Sequence, residues 1–272
     1  MKYNKWSILI FLLGFMIFLY PAFSNWYYKT YIYGAEAQRL KDKFIHWNDV
    51  VQNKSESNNL LNKDLESLEE YNEKINSGTE NFSDPFLAVE DSKNTKVTID
   101  YNSDEVFGII EIPKIDQELP IYLGASREHL LKGVGQVQGT SLPVGGVNTN
   151  SVLAAHSGFI QQKLFTDLPK LEKGDIIIIT NKFGVFNYEV TGNKVILPSE
   201  TQYLSVVQNK DMITLLTCYL PTKENDRLVV FAERVSDNGT EASEKVQQDN
   251  AFTEYSDEIT VKPRMEIFQL FL

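Results

Sequence analysis

The chain has 272 residues, with 37 aspartates and glutamates against 26 lysines and arginines, for a formal net charge of −11. It offers no basic stripe to neutralise phosphates, so nucleic acid is excluded as a partner. The single cysteine excludes an intrachain disulfide, and no P-loop, GxGxxG, EF-hand or paired zinc-ligand spacing is present, so no cofactor and no metal are expected.

At the N-terminus, Trp6 to Phe23 is almost continuously apolar and follows Lys2 and Lys5. This predicts a membrane anchor within residues 1–28, its N-terminus cytoplasmic and the rest of a single-pass chain extracellular. Trp26, Tyr27 and Tyr28 fit an aromatic belt. The small residues of Ala22-Phe23-Ser24 allow the alternative of a cleaved signal peptide. Residues 29–80 form an amphipathic region, with Leu60, Leu61, Leu65, Leu68 and Tyr71 at near-helical spacing, which predicts one or two helices.

Residues 81–103 are polar and contain Asp84-Pro85-Phe86, where the proline holds Asp84 extended and stiffens the loop. Taken alone, this is an ordinary Asp-Pro turn. From 104 to 236 short β-branched runs alternate with Gly, Pro and Asn. The best are 176–180, 184–190, 194–197, 212–217 and 228–235, and they predict a mainly β domain closed into a barrel. Residues 237–272 read as an acidic linker and a short apolar tail, and Met265 to Leu272 is too short to cross a bilayer.

The chemistry concentrates at strand ends. Cys218 closes the apolar run Ile213-Thr214-Leu215-Leu216-Thr217, which suits a nucleophile, although free cysteines also serve as small buried hydrophobes. A nucleophile needs a base and a group to hold developing negative charge. His156 follows the apolar strand Ser151 to Ala155 and precedes a Ser157-Gly158 turn, so it too stands at a strand mouth. His46 and His129 lie in helix-like segments and read as solvated helix residues. Arg227 opens the strand after Cys218, where adjacency of consecutive strands would bring its guanidinium near the thiol.

Thr214-Leu215-Leu216-Thr217-Cys218 resembles the TLxTC signature of sortases, the cysteine transpeptidases of Gram-positive cell surfaces. Arg227, nine positions on, resembles the spacing of the class C, pilus-building branch. Phe107 to Ile115, Leu119 to Tyr122, Gly139 to Gly146 and Lys163 to Leu168 are similar to that family as well, so the likeness covers roughly Glu36 to Val235. It implies an eight-stranded sortase β-barrel, with Cys218 as nucleophile, His156 as acid and Arg227 on the oxyanion. Asp84-Pro85-Phe86 resembles the class C lid, which implies that Asp84 pairs with Arg227 and Phe86 covers Cys218.

The same resemblance implies the substrates and partners. Pilin or surface proteins with LPxTG-like sorting signals would be the acyl donors, and a pilin lysine or a cell-wall precursor amine the acceptor. The alternatives are a housekeeping sortase, a catalytically silent assembly scaffold and a simple cysteine peptidase. The chain departs from the class C pattern at Tyr219-Leu220-Pro221, at Asp226, where a histidine is usual, and at Ser157-Gly158-Phe159. These positions line the expected cleft and bear on substrate preference.

Overall fold

The computed structural model describes residues 5–27, 30–31, 35–52, 55–78, 84–86, 105–158, 162–219 and 226–235. Tyr28, Phe159, Leu220, Pro221, the remainder of the 81–103 segment and the 237–272 tail therefore lie outside the described residues.

Three helices come first: α1 (Lys5–Tyr27), α2 (Ala35–Gln52) and α3 (Ser55–Asn76). The apolar side chains of α1, among them Ile10, Phe11, Met16 and Phe18, are exposed. No helix of the described residues is long and apolar enough to cross a membrane. On α3 the near-helical leucine spacing has a clear purpose. Leu65, Leu68, Tyr71 and Ile75 form one face, packed against Phe107, Leu123, Leu142 and Val144 of the barrel. Asn72 fixes the contact, because its side-chain oxygen accepts the Leu142 N–H at 2.7 Å and its amide donates to the Leu142 carbonyl at 3.3 Å. Helix α2 adds a Lys41–Glu111 ion pair to the barrel.

The barrel strands are β1 (Gly108–Ile112), β2 (Gln117–Leu123), β3 (Val134–Gln136), β4 (Thr149–Ala154), β5 (Ile176–Asn181), β6 (Gly184–Ile196), β7 (Asp211–Cys218) and β8 (Arg227–Arg234), with helix α4 (Arg127–Lys132) between β2 and β3. They close in the order β1-β2-β3-β4-β7-β8-β6-β5, which leaves no free edge. The pairs β2–β3 and β4–β7 are parallel and the other neighbours are antiparallel. The runs 184–190 and 194–197, expected as separate strands, are one 13-residue strand with a register shift between Val190 and Gly192. A bulge absorbs the interruption that the sequence pattern suggests is a break.

Alternation divides the side chains into two layers. Ile110, Ile121, Leu153, Ile179, Val190, Ile213, Leu215, Leu228 and Val230 come from nearly every strand and fill the barrel interior. Val152, Ala154, Met212, Leu216, Val229 and Phe231 point the other way from β4, β7 and β8, and Ile196, Leu204 and Leu130 cover them. This second layer is the floor on which the candidate site is built.

Candidate active site

Strand register brings the three expected groups to one end of the barrel. Cys218 and Arg227 are directly paired across β7 and β8. The parallel β4–β7 ladder ends at Ala154 opposite Leu216, but the chains stay together beyond it. Ala155 N–H donates to the Leu216 carbonyl at 3.2 Å, and the Thr217 hydroxyl donates to the Ala155 carbonyl at 2.7 Å. His156 is the next residue, so 62 positions of sequence separation collapse into strand neighbours beside Cys218. By alternation Leu216 and Cys218, Val229 and Arg227, and Ala154 and His156 share the floor side.

Arg227 is only 1% exposed, and its Nε donates to Asp84 Oδ2 at 2.7 Å. The other Asp84 oxygen accepts the Phe86 backbone N–H at 2.8 Å, a tight Asx arrangement around Pro85. This turn aims the Phe86 ring into the cleft. The ring centroid is 5.3 Å from the Arg227 guanidinium carbon and 5.6 Å from the His156 ring centroid, so the phenyl group packs against both. It packs on the floor layer with Leu204 and Leu216. Beside the Asp84–Arg227 pair is a small, shallow hollow walled by Ile196, Leu197, Pro198, Glu200, Thr201 and Leu204.

Burial pushes the Cys218 thiol above its usual range; Arg227 pulls it back and the Asp84 carboxylate pushes it up again. Burial also lowers the His156 imidazole below its usual value. Covered in this way, both groups are held toward their neutral forms, a thiol and an imidazole. Among the described residues no group of three or more His, Cys, Asp or Glu is placed to hold a metal ion.

A family model, the sortase domain, matches residues 110–235. Sortase D of Bacillus subtilis (strain 168) is 31% identical over 163 residues, which cover 59% of this chain and 76% of that protein. The chain belongs to the sortase family. Its structural relatives are class C enzymes. Streptococcus agalactiae sortase C1 is 38% identical with a TM-score of 0.57, covering 64% of this sortase and 89% of the other chain. Sortase C of Clostridium perfringens SM101 is 35% identical, also with a TM-score of 0.57, covering 73% of this sortase and 99% of that chain. The protein is thus a sortase-type cysteine transpeptidase.

One histidine of this sortase differs from its sequence-based expectation. His46 is exposed on α2 as anticipated, but His129 is 5% exposed rather than solvated. Its Nδ1 lies 2.7 Å from the Gly124 carbonyl, and its ring stacks on Tyr122 at 5.0 Å. Ser157, noted from the sequence only as a departure, donates its hydroxyl to the Cys218 carbonyl at 2.6 Å and ties the histidine loop to the cysteine strand. Most of the hollow's wall was not legible either, because Pro198, Glu200, Thr201 and Leu204 fall in the β6–β7 connection with no pattern of their own.

Proposed function

We propose that this sortase polymerises pilins from the outer face of the membrane, with Cys218, His156 and Arg227 as its catalytic groups and Asp84 and Phe86 as a lid. The observation that carries the reading is the Asp84–Arg227 ion pair with Phe86 packed against both Arg227 and His156. A carboxylate and a ring supplied from outside the barrel cover the groups that chemistry needs, an arrangement suited to a guarded transferase. The relative crystallised as C. perfringens sortase C with the C-terminal cell wall sorting motif is 38% identical over 73% of this chain, which supports a sorting signal as the donor.

The chemistry runs as acyl transfer. When the lid is withdrawn, the Cys218 proton passes to His156 and the thiolate attacks the scissile carbonyl of an LPxTG-like signal. The negative charge that develops on the carbonyl oxygen falls to the Arg227 N–H groups that Asp84 had engaged. Collapse breaks the C–N bond, His156 returns its proton to the departing amine, and a thioester remains on Cys218. A pilin lysine amine then attacks the thioester, its proton leaves through His156, and an isopeptide bond forms as the thiolate is released. Keeping water from the thioester favours transfer over hydrolysis, and Phe86 contributes to that exclusion.

Anchoring belongs to the same proposal: residues 1–28 hold the enzyme in the membrane, 29–80 and the 81–103 lid segment lead to the catalytic barrel at 104–236, and 237–272 trail from it. The exposed apolar side chains of the 23-residue α1 support this reading. Intact-mass analysis tests the transfer. An acyl adduct on Cys218 that moves to a pilin lysine is expected; transfer only to small wall-type amines would mark a housekeeping enzyme, and no adduct in native and Asp84→Ala chains would overturn catalysis. Alkaline carbonate extraction checks the anchor, with the full chain expected in the membrane pellet.

A further inference from the structure

We propose that Asn150 is a positioning residue that holds the wall of the cleft. The inference rests on reading Cys218, His156 and Arg227 as the catalytic groups, and it adds a residue that touches none of them. Asn150 lies on β4, and alternation places it on the same side as Val152 and Ala154, in a layer that is mostly apolar. It is 1% exposed. A valine would fill such a site without the cost of burying an amide, so the amide calls for a reason.

The reason lies in its partners. The two hydrogens of the Asn150 side-chain nitrogen go to consecutive carbonyls, Leu204 at 3.1 Å and Ser205 at 3.0 Å. These close the short 3-10 turn Thr201–Leu204, whose terminal carbonyls have no partner further along the turn. The Asn150 side-chain oxygen accepts from the Thr214 hydroxyl at 2.9 Å, which fixes the orientation of the amide. Ser141 clamps the Asn150 backbone from the other side, with its hydroxyl accepting Asn150 N–H at 3.0 Å and its N–H donating to the Asn150 carbonyl at 3.2 Å.

One buried side chain therefore bolts the β6–β7 connection onto the two strands that carry His156 and Cys218. That connection supplies Thr201 and Leu204 to the hollow beside Arg227. The hollow adjoins Arg227 and Leu216, next to Cys218 in register, and in this proposal a peptide presenting its scissile carbonyl to Cys218 runs along this wall, whose position then sets how well the peptide binds. Asn150 acts on binding through backbone geometry, and the reacting groups are left where they are.

The test uses the full chain and a fluorogenic LPxTG-type peptide, in the native and Asp84→Ala backgrounds. Asn150→Ala is expected to raise KM about tenfold with kcat within about threefold. Amide hydrogen exchange over residues 201–205 is expected to accelerate, while alkylation of Cys218 stays unchanged. A folded variant with unaltered KM, or one whose loss falls on kcat alone, overturns the positioning role. Where the alanine variant fails to fold, Thr214 decides. Thr214→Val is expected to raise KM about threefold and Thr214→Ser to restore it, and equal KM values for all three chains overturn the proposal. Cys218→Ala separates the two readings: surviving cleavage overturns the catalytic assignment and the wall's purpose with it, whereas lost cleavage with unmoved KM in the Asn150 and Thr214 variants overturns positioning alone.

Discussion

Strand β7 has an aspartate at one end and the cysteine at the other, and the two ends of the barrel treat a buried carboxylate differently. At the far end Asp211 belongs to the barrel itself. Its Oδ1 accepts from the Tyr188 hydroxyl at 3.1 Å and its Oδ2 accepts the Gly146 N–H at 2.9 Å. Gly145 has a positive φ of 73°, and a Cβ there would come within 3.2 Å of the carboxylate, so the backbone can reach Asp211 only with glycine. The Arg234 guanidinium completes this end, stacked over Phe186 at 4.6 Å. At the site end the carboxylate comes from Asp84, outside the barrel, and its partner Arg227 opens β8. A clasp whose parts all belong to the barrel opens only when the barrel does. A clasp with one removable half can open while the fold persists.

The largest expected effect tests whether the site end is spent on chemistry. Cys218→Ala should lower sorting-signal cleavage by about a thousandfold or more, with a thermal midpoint close to that of the parent. Retained turnover in a peptide-cleavage assay would remove the nucleophile assignment. Arg227→Ala should follow, at about a hundredfold or more in kcat, because the oxyanion loses its donor. A loss seen only in KM would place the guanidinium in substrate binding instead.

Asp84→Ala probes the removable half directly. If the cleft stayed shut around an Arg227 that had lost this carboxylate, the loss would be about 3–5 kcal/mol. Water entering an opened cleft should hold it below about 1 kcal/mol by denaturant titration, as for an exposed pair. The same variant should alkylate faster. Asp84 raises the thiol's pKa, so its removal should shift the midpoint of the alkylation–pH curve downward and increase the thiolate present near neutrality. An unmoved midpoint would argue that the carboxylate does not govern the thiol.

The smallest effect on activity belongs to the far end. Tyr188→Phe leaves Asp211 Oδ1 without the tyrosine donor and should cost about 1–2 kcal/mol in a chemical melt, with kcat/KM unchanged. A matching loss of activity would show that the two ends are coupled.

How much was legible varies with the range of the interaction. Cys218, His156 and Arg227 could be picked out because each sits where an apolar run begins or ends, a local signal. The motif at Asp84-Pro85-Phe86 was equally local. The bulge that merges two runs into β6, the burial of His129 against Tyr122 and the Ser157 bond to Cys218 were hidden, since each depends on a partner strand or a neighbouring loop. The three-residue strand β3 is too short to carry a pattern, and it exists because β2 and β4 flank it.

By itself, the sequence pointed to Cys218, His156 and Arg227 as candidate reactive groups, and it determined the alternating runs that must bury one face and the family to which the chain belongs. Those follow from side-chain chemistry and from periodicities of a few residues. The resemblance implied that Asp84 pairs with Arg227 across 143 positions; only the tertiary structure decided that the phenyl ring packs against both Arg227 and His156, and that Asn150 ties the β6–β7 connection to the barrel. Each of these depends on closing the barrel, which brings distant residues together through strand register, and register is set by the packing of the whole core.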